Sequence, residues 1–133
     1  MALAAGPAGC AYFNALYNAH RLYERGRKEI ERGNESSGRT ALAEAIRKAE
    51  RALERYPDSR YADDALGLIA RARLLRGEHT GAADAASELA RRATSDRERR
   101  RAAAYLGRAK AGLGEAEAAD SLLTFALSGP LPE

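Results

Sequence analysis

Between Thr40 and Gly77 the chain carries two amphipathic helical patterns, parted by Tyr56-Pro57-Asp58-Ser59 and closed by a glycine. In the first, Leu42, Ala45, Ile46, Ala49, Ala52, Leu53 and Tyr56 fall at i, i+3, i+4, i+7 spacing, the signature of one apolar helix face. Glu44, Arg47, Lys48, Glu50, Arg51 and Glu54 occupy the other side. Thr40 is placed to cap this helix, and Pro57 stops it, because proline disfavours helical geometry in the residue before it. Asp58 or Ser59 then opens a second helix over about residues 59–76, with Asp63 and Asp64 in its first turns, where the helix dipole favours negative charge. This helix is apolar on two stripes, Ala62-Leu66-Ile69 and Tyr61-Ala65-Leu68-Ala72-Leu75. Two stripes are the pattern of a helix covered from two sides. Gly77 ends it as a C-cap residue.

The same logic recurs on both sides of this unit. Residues 80–94 read as a helix with Ala82, Ala85, Ala86, Leu89 and Ala93 inward. Ser95-Asp96-Arg97-Glu98 is a capping-box pattern that opens another, with Ala102, Tyr105, Leu106, Ala109 and Leu113 inward and Gly114 at its end. A last helix, 115–128, is expected to bury Ala119, Leu122, Leu123 and Ala126 before Gly129-Pro130. Upstream, residues 11–32 read as one helix with Phe13, Leu16, Tyr17, Ala19 or His20, and Tyr23 at helical spacing. Its aromatic residues are expected to pack it on the second helix. Gly33 to Gly38 is the most loop-like segment, so a flexible connector is expected over about 33–39. Laid over one another, Ala19–Gly26, Ala70–Gly77 and Gly107–Gly114 each set a small residue seven places before a glycine, and Gly77 and Gly114 stand 37 residues apart. Paired helices at a period in the mid-thirties mark a helical solenoid. The chain lacks Val and Trp, is rich in Ala, and shows no period-2 alternation, which argues against a sheet. The expected fold class is all-α, with about three helix pairs.

These pairs resemble tetratricopeptide repeats. Ala70 and Gly107 match the repeat's close-contact position in its first helix. Ala45, Ala82 or Ala83, and Ala119 match the small position opening its second, and Pro57 matches the closing proline. The stretch Tyr56-Pro-Asp-Ser-Arg-Tyr-Ala-Asp-Asp-Ala-Leu66 is similar to the inter-repeat turn of bacterial envelope lipoproteins of this class, such as those of the outer-membrane assembly machine and the Tol-Pal coordinator. Cys10-Ala-Tyr-Phe-Asn-Ala-Leu-Tyr-Asn-Ala19 resembles their mature start, a lipidated cysteine followed at once by an aromatic helix. The resemblance spans about residues 10–128. Repeats two and three lack the closing proline, and Pro7 stands where a lipobox has leucine.

From this resemblance follows the expected organisation. Residues 1–10 are a signal or lipobox remnant, or a flexible leader, and residues 11–133 a repeat domain. With no basic start and little apolar run before Cys10, the expectation is that the sequence starts inside a longer precursor or that its signal was trimmed. The resemblance implies a lipid on Cys10 and a place on the periplasmic face of the outer membrane. It also implies that a partner is bound on the concave face made by the first helices. In the alignment above, His20, Arg71 and Arg108 share one position, and Arg73 and Lys110 lie two residues on. A basic column there would take an acidic or C-terminal segment of a protein through charge-assisted hydrogen bonds. The alternative is a soluble cytoplasmic adaptor or a structural subunit of a larger complex.

Other chemistry is not expected. A net charge of +3 with acids interleaved is not a nucleic-acid footprint, and Asp96 and Glu98 break up the arginines of 97–101. Adjacent Asp63 and Asp64 point about 100° apart on a helix and do not converge as a catalytic pair. His20 and His79 have no ligand-spaced companions, Cys10 is the single cysteine, and there is no nucleophile–base pair, phosphate loop or cofactor motif. The expectation is a non-catalytic protein with no cofactor, metal or small-molecule substrate. No apolar run reaches the roughly 20 residues of a membrane-spanning helix.

Overall fold

A computed structural model describes the backbone of residues 7–59 and 61–129 and the side chains of 13–59 and 61–129. The described residues form six α-helices and no strand: α1 (Pro7–Glu31), α2 (Glu35–Arg55), α3 (Ala62–Arg76), α4 (His79–Arg92), α5 (Asp96–Gly112) and α6 (Ala116–Leu127). The all-α class is as expected. The chain divides into two compact units, Met1–Leu68 and Ile69–Glu133, with the boundary inside α3.

One turn is built three times. Gly33, Gly77 and Gly114 have φ of 88°, 74° and 79°, the left-handed conformation that only glycine adopts without penalty. The residues that follow, Asn34, Glu78 and Glu115, share φ/ψ of −85°/62°, −86°/67° and −86°/69°. Each donates its N–H back across the glycine, to Glu29, Arg73 and Lys110 carbonyls at 2.8, 2.9 and 3.0 Å. Each then accepts from Gly38, Ala82 or Ala119 in the first turn of the next helix, at 3.0, 2.9 and 3.0 Å. These bonds satisfy one late carbonyl of the ending helix and one early amide of the next.

This overturns the expected connector. Residues 33–39 are a tight turn at Gly33-Asn34, with α2 running from Glu35. Thr40 lies inside that helix, its hydroxyl donating to the Ser36 carbonyl at 3.0 Å, and caps nothing. The register of the first unit changes with it. Gly33, not Gly26, is the counterpart of Gly77 and Gly114. Gly26 is instead the counterpart of Ala70 and Gly107, and Gly38, not Ala45, that of Ala82 and Ala119.

In the first unit α1 packs on α2. Leu16, Ala19 and Tyr23 meet the buried stripe Ala41, Leu42, Ala45, Ile46, Ala49 and Ala52. A Cβ on Gly26 would lie 2.8 Å from both the Gly38 carbonyl oxygen and Leu42 Cγ, so the two backbones touch where small residues let them. Phe13 and Tyr17 do not join this core. They are 56% and 55% exposed and stack on each other, centroids 6.4 Å apart. A helix of this pitch cannot turn Phe13 and Tyr17 inward together with Leu16, Ala19 and Tyr23.

In the second unit α4 packs on α5 and α5 on α6. Ala82, Ala83 and Ala109 form a buried cluster flanked by Leu74 and Leu106. Gly107 brings α5 against Leu122 and Leu123 of α6. The capping box is present as expected, with Ser95 Oγ accepting from the Glu98 amide at 3.2 Å and the Glu98 carboxylate accepting from Ser95 N–H at 3.2 Å. Of the four α6 residues expected inside, only Ala119 is buried; Leu122, Leu123 and Ala126 are half-buried. Leu113, expected inward on α5, is 41% exposed. Among the described residues α6 packs on α5.

Candidate interaction surface

Helix α1 carries His20, α3 carries Arg71 and Arg73, and α5 carries Arg108 and Lys110. Counted from the turn glycines, Arg71 and Arg108 share a position, and the first-unit residue at that position is Arg27, not His20. The sequence alignment missed it because it placed Gly26 where Gly33 belongs; the signal was available in Gly33-Asn34, which matches Gly77-Glu78 and Gly114-Glu115 as a glycine followed by a polar residue. Arg27 lies between Glu24, at 3.0 Å, and Glu31 on its own helix. Hydrogen bonding and charge from Glu24, then the charge of Glu31, hold its guanidinium above the ordinary arginine value. Arg71 is half-buried and Arg108 exposed. His20 lies along the outer side of α1, in a shallow groove with Tyr17, Arg21, Arg25, Lys28 and Arg32.

Two residues further on, the side chains latch the turns. Arg73 Nη1 donates to the Gly81 carbonyl at 3.2 Å, and a Cβ on Gly81 would lie 2.7 Å from that nitrogen. Lys110 Nζ lies 2.9 Å from Glu115 Oε2. Their counterpart Glu29 accepts from Asn34 Nδ2 at 2.8 Å. The position is therefore occupied by a long polar side chain that ties the end of one helix to the start of the next, whatever its charge. Arg73 and Lys110 each hold such a bond within their own unit.

The arginines around α5 are likewise engaged. Arg91 pairs with Glu88, Arg99 with Asp96 at 2.7 Å, and Arg101 Nε donates to the Tyr105 hydroxyl at 3.1 Å. Arg100 donates to the Phe125 carbonyl at 2.8 Å and to Ser128 Oγ at 2.6 Å, and its guanidinium sits 4.9 Å from the Phe125 ring centroid. The 97–101 run is thus partly a latch for the end of α6. At the other end of α5, the ring of His79 from α4 packs on Gly112, and its Nδ1 is buried without a hydrogen-bond partner.

Among the described residues no three His, Cys, Asp or Glu are grouped so as to hold a metal ion, and no helix is long and apolar enough to cross a membrane. Residues 1–6 of the lipobox reading and the side chain of Cys10 lie outside the described residues, although the Cys10 backbone belongs to α1. Pro130, expected to end α6, also lies outside them. No protein-family model, curated protein or solved structure matches the chain.

Proposed function

We propose that the chain is a tetratricopeptide-like solenoid of about three helical hairpins that works without catalysis, as a scaffold binding a protein or peptide. The observation that carries this reading is the threefold turn at Gly33, Gly77 and Gly114, with small residues at matched places before and after it. One supersecondary unit repeated along a chain is how solenoids build an extended binding face. Counted from the turn glycines, Arg27, Arg71 and Arg108 recur at one position of the first helices, with Arg73 and Lys110 two residues beyond two of them and His20 earlier on α1. Guanidinium groups so repeated suit an acidic or C-terminal segment, which they bind by charge-assisted, often bidentate, hydrogen bonds.

The resemblance of the segment from Cys10 to Ala19 to the start of envelope lipoproteins supports a lipid anchor on Cys10 and a place at the periplasmic face of the outer membrane. Mass spectrometry of the N-terminal peptide from native membranes tests this half of the reading. A diacylglyceryl adduct on Cys10 with residues 1–9 absent is expected; an unmodified cysteine with the leader retained would leave a soluble adaptor. Photo-crosslinking residues placed at 71 and 108 test the other half. Both positions are expected to capture a defined protein that a probe at Glu44, on the exposed side of α2, does not. Equal capture at all three would remove the binding face.

A further inference from the structure

We propose that the outer side of α1 docks on an anionic lipid bilayer, through a row of exposed cations with aromatic rings at one end. Arg21, Arg25, Lys28 and Arg32 follow one another at i, i+4, i+7 and i+11. At about 100° per residue they fall within an arc of about 60°. That arc lies opposite Leu16, Ala19, Tyr23 and Gly26, which pack α1 within its own unit. All four cations are exposed. No acid falls inside the arc; Glu24 and Glu29 border it on either side. Glu24 is held by Arg27, and Glu29 accepts from Asn34. Arg32 stands 3.6 Å from Glu29, whereas Arg21, Arg25 and Lys28 have no ion pair among the described residues. On α2, by contrast, Arg47, Lys48 and Arg51 share their side with Glu44 and Glu54.

The occupant follows from charge and shape. The shallow groove along the row is lined by residues of α1 alone, so no second element stands beside it to grip a peptide. A helical or extended peptide is recognised in a groove between elements or at a sheet edge, and the row offers neither. An anionic bilayer needs only an exposed line of cations, each of which raises partitioning about fivefold. The aromatic pair extends the line. Tyr17 stands at its edge, one turn before Arg21, and stacks on Phe13, with both rings more than half exposed. Aromatic rings beside cations suit the headgroup level of a membrane. The apolar face of α1 is covered by α2, so the helix lies on the headgroups without sinking between the acyl chains. The attraction is therefore chiefly electrostatic and weakens with salt. This side of α1 excludes Arg27, and its use requires no lipid on Cys10.

Co-sedimentation of the full chain, with Cys10 unmodified, tests this on vesicles of phosphatidylcholine alone and of phosphatidylcholine mixed equally with phosphatidylglycerol. Binding to the anionic vesicles only, lost in high salt, is expected. Arg25→Glu combined with Lys28→Glu changes two exposed side chains and is expected to weaken it by about tenfold or more. Arg47→Glu, on the exposed side of α2, is expected to leave it within about twofold. Circular dichroism confirms that each variant stays folded. No binding, equal binding to the neutral vesicles, or an equal loss with Arg47→Glu overturns the proposal. So does displacement from the vesicles by DNA duplex at equal phosphate concentration, which would make the row a general polyanion surface.

Discussion

Gly26 and Gly38 meet backbone to backbone where α1 crosses α2. A Cβ built on Gly38 would fall 2.7 Å from the Gly26 carbonyl oxygen and 2.6 Å from Ile30 Cγ1. Alanine normally stabilises a helix interior over glycine by about 0.5–1 kcal/mol. Here the sign reverses, because neither helix can take the methyl without moving apart. Gly26→Ala and Gly38→Ala are each expected to lower unfolding free energy by about 1–3 kcal/mol, read by urea denaturation. A gain in stability in either variant would contradict the crossing.

The three turn glycines differ in kind from this pair. A Cβ on Gly33, Gly77 or Gly114 would meet nothing within 4 Å, so only backbone strain opposes a side chain. Alanine at each is expected to cost about 1–2 kcal/mol, and asparagine less, since it tolerates the left-handed region better. Equal losses for alanine and asparagine at Gly77 would mean that something other than backbone conformation is at work there.

The capping box gives α5 an acid-sensitive start. Glu98 accepts hydrogen bonds from the Thr94 amide at 2.6 Å and from its hydroxyl at 3.0 Å. The Thr94 amide, first, and then the Thr94 hydroxyl hold its carboxyl below the ordinary value of 4.5. A carboxylate whose folded pKa is depressed adds stability that is full above the unfolded value and is lost as pH falls through the folded one. Glu98→Gln is therefore expected to flatten the melting temperature against pH below pH 4.5 and to lower it at neutral pH. Ser95→Ala removes the reciprocal bond and is expected to cost about 1 kcal/mol.

Arg100 fastens the end of α6 through the Phe125 carbonyl, Ser128 and the Phe125 ring. Arg100→Ala is expected to speed hydrogen exchange across residues 124–128 while leaving α4 unchanged. Arg100→Lys keeps the charge but not the planar guanidinium that lies on the Phe125 ring, so it recovers only part of the protection. Uniform loosening of all helices would indicate a core role instead.

The helix count and most helix ends were legible in the sequence, because Pro57, Gly77, Gly114 and the Ser95–Glu98 box are strong local signals. The buried stripe of α2 was legible for the same reason: Leu42, Ala45, Ile46, Ala49 and Ala52 repeat at helical spacing on a helix with one covered side. Around Gly33 the polar run Asn34-Glu35-Ser36-Ser37 resembles a loop, yet only Gly33-Asn34 turns and α2 already runs from Glu35, which brings Gly38 to the crossing with Gly26. That one misplacement carried the basic column to His20 and away from Arg27. Arg73 and Lys110 resembled binding residues because sequence cannot show that a side chain already holds its own turn. Leu122, Leu123 and Ala126 of α6 were expected inside and are half-buried, because periodicity shows which face of a helix is apolar and not how far a neighbour covers it.

The proposal that most needs testing is that the arginines recurring at one position of the first helices bind a protein partner. Photo-crosslinking from a probe at residue 71, repeated in a chain carrying Arg27→Glu and Arg108→Glu, tests it most directly. Neither substitution alters a buried side chain, so the fold should persist. The account predicts a discrete crosslinked partner in the parent chain and its loss, by tenfold or more, in the charge-reversed one. An undiminished crosslink to the same partner would contradict it.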